Sequence, residues 1–356
     1  MATLDPGPAD PRPDRPLLLL LQGARSAFGP ARLVTAAAGL LLLQAGWDVL
    51  DAIWPASAGI TPQIVPPSAR FAPDPASPLA SIGTGARLEG WRLTEPVRLL
   101  ADPLAALFTP GRDVAWILHA LLAVLWTVAV WGIIGGSLAR RELLELARPR
   151  PGTSLGPFRF PVRFAVPLIA TPLHPLFVAL LLGAGCAGLG LVARLPAGVG
   201  TAVMGVLFVV PLLLGLGMAV LLLGMLAGWG LFHAAIAAES EASLEALGRC
   251  LSYLGRRPGQ FAACLAFAWA VGLPALMVDD LLDRGVLHLA SWGLALTAPG
   301  PVAIPCFWEG LTHLLSHSWI HAYFWGISAR IYLILRHDVD RTPWGVVDPG
   351  NGGAQS

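Results

Sequence analysis

Long apolar stretches, separated by segments rich in proline, glycine and arginine, dominate the pattern along the chain. A helix needs about 20 consecutive apolar residues to cross a bilayer core, and several stretches exceed that length. The sequence predicts six spans within a membrane domain at 31–338, and they lie at 31–54, 114–138, 164–193, 201–232, 261–282 and 311–335. The predicted fold class is therefore all-α, a polytopic transmembrane helical bundle with additional amphipathic helices at the membrane surface.

Composition supports a membrane location and excludes several kinds of chemistry. Apolar residues make up 55% of the chain and charged residues 13%, about half the charged fraction typical of soluble domains. All 23 cationic residues are arginine, which excludes a P-loop lysine and a Schiff-base lysine. A net charge of +1 gives no reason to expect a nucleic-acid partner, and no cofactor is predicted.

The number of spans depends on how the apolar segment Val286 to Trp308 is interpreted. Prolines interrupt this segment, and its first unbroken part, Val286 to Ala298, has 13 residues, which is too short to cross a bilayer. We predict an interfacial or re-entrant piece here, with a seventh span as the main alternative. Pro211 is predicted to kink the overlong fourth span.

The remaining segments are predicted to lie outside the bilayer. Residues 1–30 and 339–356 are predicted to be disordered tails, with Leu17 to Leu21 lying at the membrane surface. Residues 55–112 form a proline-rich outer loop that closes with an interfacial helix, Glu95 to Phe108.

The distribution of arginine predicts the orientation. Most of the 23 arginines lie in the tails and in the segments after the second and fourth predicted spans. Because cytoplasmic segments carry an excess of positive residues, both termini are predicted to be cytoplasmic, in a bacterial inner membrane.

Two cytoplasmic segments are predicted to be helical. Residues 140–148 extend the second span as an exposed helix. The segment Glu239 to Leu254 has four leucines on one face, which is typical of a helix lying flat beneath the membrane. That helix either binds a protein partner or packs against the membrane domain; the other predicted partner is the lipid bilayer.

Several motifs from the second span onward carry a resemblance to known proteins. They are Trp131-Gly132-Ile133-Ile134-Gly135-Gly136, Ala246-Leu247-Gly248-Arg249, Leu251-Ser252-Tyr253-Leu254, Arg257-Pro258 and the segment from Ser328 to Asp340. On these motifs the chain resembles an uncharacterised family of bacterial multi-helix membrane proteins with about six spans. The second cytoplasmic helix and its Arg-Pro step are also similar to the membrane domain of some glycerophosphodiesterases. The resemblance implies a helical membrane fold and transfers no activity.

A series of ionisable residues marks the beginning of the last predicted span. Glu309, His313, His317 and His321 are spaced four residues apart, which places neighbouring side chains on one helix face. Imidazoles in this arrangement are candidate ligands for a transition metal. The alternative is structural histidines that bind backbone or water, because a four-residue spacing drifts by about 40° per step.

Carboxylates lie at the predicted outer ends of other spans. Asp48, Asp279 and Asp280 are candidates for an ion pathway, because ionisable residues inside a membrane are functional candidates by default. The alternative is ordinary solvation and ion pairing with nearby arginines.

Two small-residue motifs are candidates for helix packing. Gly132 and Gly136 are four residues apart, as are Gly224 and Gly228. Such spacing permits close approach of two helices in a membrane.

These observations favour a non-enzymatic membrane protein, a scaffold or an assembly component, because no catalytic motif stands out. The main alternative is a transporter or an ion or metal permease that uses the histidine series and the outer carboxylates. A membrane-embedded lipid enzyme is a third hypothesis, and it requires histidines and acidic groups to converge near one head-group level.

Overall fold

A computed structural model describes residues 16–57, 59–64, 90–147, 158–192, 195, 199–297 and 306–348. These ranges contain eleven α-helices and no strand, which confirms the all-α prediction. The helices are α1 (Pro16–Ala27), α2 (Pro30–Ile53), α3 (Glu95–Leu107), α4 (Val114–Leu146), α5 (Arg159–Arg163), α6 (Ala165–Gly190), α7 (Val199–Leu207), α8 (Val209–Glu239), α9 (Ser243–Arg256), α10 (Pro258–Ala295) and α11 (Cys306–Asp340). Short 3-10 helices lie at Pro55–Ser57 and Gly90–Thr94.

Five helices in the described part of the chain are long and apolar enough to cross a membrane, namely α2, α4, α6, α8 and α10. They cover the first five predicted spans, so the fold is that of a multi-pass membrane protein. The fourth predicted span is divided between α7 and α8, and α10 continues to Ala295, into the segment expected to be interfacial or re-entrant. The sixth predicted span lies within α11, which is not among the five, so the count of six stays a prediction.

Helix α11 forms the centre of the bundle, packed against α1, α2, α4, α8 and α10. It is less apolar than the other long helices because its polar side chains, such as Arg330 and Arg336, are sheltered by protein instead of lipid. The opposite holds for α8, which has the highest mean hydropathy of the five and only 6% of its most apolar window buried. The most apolar of the five helices is therefore the least buried in the protein, as expected for a helix that faces lipid.

The N-terminal segment differs from the predicted disordered tail. Residues 16–27 form α1, which packs against α10 and α11. Leu20 is fully buried, and the ring of Phe28 lies 5.3 Å from that of Trp319. The alternation of buried Leu20 with exposed Leu17 and Leu21 gives α1 one face toward protein. Residues 1–15 lie outside the described part.

The C-terminal segment also differs from a free tail. Helix α11 continues to Asp340, and the following chain returns to the bundle, where the Asp348 N–H donates to the Ala238 carbonyl at 2.8 Å. Arg140 donates to the carbonyls of Ala237 and Asp348, at 2.6 and 2.7 Å. The expected exposure of Arg140 is wrong, because its guanidinium is fully buried against carbonyls at the end of α8. Residues 349–356 lie outside the described part.

The predicted interfacial helix packs one face against the bundle, while Arg98 and Asp102 on its other face are 47% and 40% exposed. Helix α3 packs against α4, and Leu99, Leu100 and Leu104 on its inner face are buried. The preceding segment, Gly90–Thr94, contacts α10, where the Trp269 indole N–H donates to the Gly90 carbonyl at 3.3 Å. Since α10 begins at Pro258, this contact lies about 16 Å along it. Residues 65–89 of the outer loop lie outside the described part.

The segment predicted to be a cytoplasmic helix is helical in the structure, where it forms α9. Ala246, Cys250 and Tyr253 are buried, whereas Leu244 and Leu251 of the predicted apolar face are exposed. The Tyr253 hydroxyl donates to Asp340, which fastens α9 to the end of α11. Burial and this bond raise the pKa of Tyr253 to about 12, so the hydroxyl remains a donor at neutral pH. Binding of a protein partner to the exposed face stays a prediction.

Candidate functional site

Side chains from three segments meet where α10 and α11 approach the segment 90–95. We call this group the polar network; it consists of Arg92, Glu95, Asp279, Asp280, Asp283, His313, Ser316, His317 and His321. The convergence depends on the packed segment 90–95, which brings its charged residues to two helices more than 180 positions later in the chain.

Glu95 is the centre of one half of the network. It is only 7% exposed, and the Nδ1 atom of His317 lies 2.8 Å from both of its carboxylate oxygens. The Nε2 atom of His321 lies 3.6 Å from the same carboxylate. The His321 ring is stacked on Trp131, with the ring centres 4.4 Å apart. The carboxylate and the stacking together fix the orientation of both imidazoles.

Arg92 is the centre of the other half. It forms an ion pair with Asp280 and donates to the Ser316 hydroxyl at 3.1 Å. Ser316 in turn donates to Asp279 at 2.5 Å. Arg92, a residue of the outer loop, thus links Asp280 of α10 to Ser316 of α11.

The histidine series does not converge on one point in the structure. His313 lies 2.7 Å from Asp283, whereas His317 and His321 both face Glu95, so the three imidazoles are divided between two carboxylates. Within the residues that the structure describes, no group of three or more His, Cys, Asp or Glu side chains is arranged to hold a metal ion. The side chain of Glu309 lies outside the described part. The metal site stays a prediction that this geometry does not favour.

The predicted ion-pathway residues separate into two places. Asp279 and Asp280 belong to the polar network, whereas Asp48 lies on α2 and accepts a hydrogen bond from Gln44 at 2.7 Å. The sequence analysis missed Arg92 and Glu95 as site residues. The signal that was available is a pair of opposite charges, close in sequence, just before and at the beginning of a predicted amphipathic helix.

An apolar cavity of about 570 Å³ lies beside the network, between α8, α10 and α11. Its walls include Leu226 and Ala227 of α8, Leu265 and Ala266 of α10, and Phe324 of α11. Leu93 and Thr94, which lie in the chain between Arg92 and Glu95, contribute to its wall, whereas the side chains of the polar network do not line it. An apolar cavity with polar groups nearby is a common form of ligand site.

A layer of aromatic rings lies below the network along α11. The Trp325 ring is 5.8 Å from Trp131, 5.6 Å from Trp229 and 4.8 Å from His233, and all four side chains are fully buried or nearly so. This aromatic layer separates the polar network from the ion pairs that Arg330 makes further along α11.

The two predicted glycine motifs have different surroundings. A Cβ atom at Gly132 would lie 3.1 Å from Ile169, and one at Gly136 would lie 2.9 Å from Leu168 of α6. The first motif is therefore located where α4 and α6 approach closely. A Cβ at Gly224 would meet only Leu251, at 3.8 Å, and one at Gly228 would meet Phe232 of its own helix.

Comparison with known proteins does not identify a relative. No family model, no curated protein and no solved structure matches the chain. The resemblance to an uncharacterised membrane family therefore stays a prediction. The fold itself defines the class, an all-helical protein with several helices suited to span a membrane.

Proposed function

We propose that the protein binds a membrane lipid, with a hydrocarbon chain in the apolar cavity and the head group at the polar network. The observation that carries this proposal is the continuity between the two. Thr94 lines the cavity, and the next residue, Glu95, is the centre of half the network.

The polar network must supply the selectivity of such a site. Lipid chains are as apolar as the cavity wall, so moving a chain from the bilayer into the cavity gains little hydrophobic free energy. Hydrogen bonds with ionised groups are about twice as strong as neutral ones, and the network is rich in such groups. The head group therefore decides which lipid binds.

The charges of the network indicate the head-group chemistry. The described network contains four carboxylates, those of Glu95, Asp279, Asp280 and Asp283, and one guanidinium, that of Arg92, which is paired with Asp280. Glu95 and Asp283 face histidines instead. An excess of acceptors favours a head group that donates hydrogen bonds, and an amine fits this requirement best. We propose an amine-bearing phospholipid as the ligand.

Binding is compatible with the non-enzymatic prediction, because it requires no bond to be made or broken.

The second candidate is a lipid-modifying enzyme, and one observation favours it: histidines and acids converge at one level beside the cavity. In that function His317, held by Glu95, acts as the general base. Incubation of the protein with an amine-bearing phospholipid, followed by mass spectrometry of the lipid, tests this candidate; an unchanged lipid contradicts it.

The permease alternative requires a path for the transported ion through the helix bundle. A path through the bundle requires the aromatic layer around Trp325 to open, since this layer fills the space between the network and the ion pairs of Arg330. The packing therefore favours lipid binding over permeation.

Filling the cavity tests the proposal directly. We expect Ala227→Phe and Ala266→Phe each to reduce retention of phosphatidylethanolamine by about tenfold, because the new ring occupies the space of the lipid chain. Retention is measured by native mass spectrometry of the full chain in neutral detergent.

The matched control is Ala270→Phe, which adds the same ring to α10 at an exposed position that does not line the cavity. This control variant should retain as much phosphatidylethanolamine as the parent protein does. Equal retention in the control and both cavity variants would contradict the proposed site.

A further inference from the structure

A second cavity, of about 630 Å³, lies at the other end of α11 from the polar network. It is formed by α1, the beginning of α2, the end of α4 and Arg330 of α11. Its lining contains four arginines and one acid; we call it the arginine cavity, and these residues are Arg25, Arg32, Arg141, Arg330 and Glu145.

The arginines of this cavity are not all neutralised. Glu142, with 1% of its side chain exposed, binds both Arg32 and Arg330, and Glu145 binds Arg32 at 2.6 Å. Arg25 and Arg141 form no ion pair with a carboxylate in the described part of the chain. Arg141 lies over the Phe158 ring, with its guanidinium carbon 6.0 Å from the ring centre. Two guanidinium groups are therefore without a carboxylate partner beside an open polar space.

Two helix ends meet at this cavity. Gly29, Pro30 and Ala31 at the beginning of α2 line it, and so do Arg25 and Ser26 in the last turn of α1. The negative end of the α1 dipole offsets the positive end of the α2 dipole, and Pro30 has no N–H to donate. The positive charge of the cavity therefore comes from its guanidinium groups.

We propose that the arginine cavity binds a phosphate group, held by the guanidinium groups of Arg25 and Arg141. The planar donor array of arginine matches the oxygens of phosphate and permits bidentate bonds. The head group of an anionic phospholipid and a free phosphate offer the same chemistry. This site has the opposite charge to the polar network and does not depend on the lipid proposed there.

Two binding measurements on the purified full chain test the proposal and separate the two sources. Titration with inorganic phosphate in phosphatidylcholine nanodiscs, against chloride at equal ionic strength, reports free phosphate. Native mass spectrometry after mixing with vesicles of phosphatidylcholine containing phosphatidylglycerol reports the lipid. We expect saturable binding in at least one of these measurements.

The variants are Arg25→Gln, Arg141→Gln and the double change, none of which removes an ion pair seen in the described residues. We expect the double variant to bind about tenfold more weakly, which corresponds to about 1.4 kcal/mol. The charge-matched control is Arg256→Gln, an exposed position at the end of α9, and it should bind as the parent does. No saturable binding by the parent in either measurement overturns the proposal, as does an equal loss in the control.

Discussion

Replacing Glu142 with alanine destabilises the folded protein by about 3–5 kcal/mol, the cost of breaking a buried ion pair from one side. The carboxylate lies at the end of α4 with 1% of its side chain exposed. It binds Arg32 of α2 at 2.6 Å and also binds Arg330 of α11. Removing it leaves the Arg330 guanidinium, 5% exposed, without a carboxylate partner among the described residues. Three helices lose their common electrostatic contact.

Glu145→Ala is the matched control for this prediction. Glu145 lies one turn further along α4, is 58% exposed and binds only Arg32 at 2.6 Å. We expect its removal to cost below about 1 kcal/mol, because water screens an exposed pair. Both variants are measured by reversible unfolding in mixed micelles with increasing denaturing detergent. Equal midpoints for the two variants would show that Glu142 does not hold the bundle together.

The second large effect is expected at Gly135, which lies between the residues of the predicted Gly132 and Gly136 motif. A Cβ atom here would lie 2.6 Å from the Trp325 ring, which is fully buried within the aromatic layer. Because the neighbouring rings prevent Trp325 from moving aside, we expect Gly135→Ala to cost about 1–3 kcal/mol, as overpacking does in other cores.

Gly224→Ala provides the comparison within the same bundle. A Cβ at Gly224 would have its nearest contact, Leu251, at 3.8 Å, which is an ordinary packing distance. Alanine favours the helix over glycine by about 0.8–1.0 kcal/mol, so this variant should be as stable as the parent or more stable. The same unfolding assay measures both. A stable Gly135→Ala variant would contradict the close packing of α4 against α11.

The predicted glycine motifs show how much of the helix packing a local sequence pattern can predict. The four-residue spacing identified Gly132, Gly136, Gly224 and Gly228 as equivalent, since all have the same spacing in apolar helices. The structure places only the first pair against another long helix, and it places Gly135, which belongs to neither pair, against the Trp325 ring. Which neighbour lies opposite a glycine depends on the rotation of the helix in the bundle, and spacing does not encode that rotation.

Some residues of the polar network were likewise predicted from the sequence, whereas others were not. His313, His317, Asp279 and Asp280 stood out in the sequence because ionisable side chains are rare in apolar helices. Arg92, the partner of Asp280, and Glu95, the partner of His317, lie just before and at the beginning of α3, where charged residues are common. Only the tertiary structure, in which segment 90–95 contacts α11, shows that these residues are paired.

The sequence by itself determined the helical class and the positions of five apolar helices, because the length and composition of a span are local requirements of the bilayer. Only the tertiary structure decided that α11 lies at the centre, that residues 90–107 pack against the bundle and that both described ends return to it. These features depend on contacts between residues that are distant in the sequence. The polar residues of α11 are stable because protein surrounds them, and the local sequence does not specify that environment.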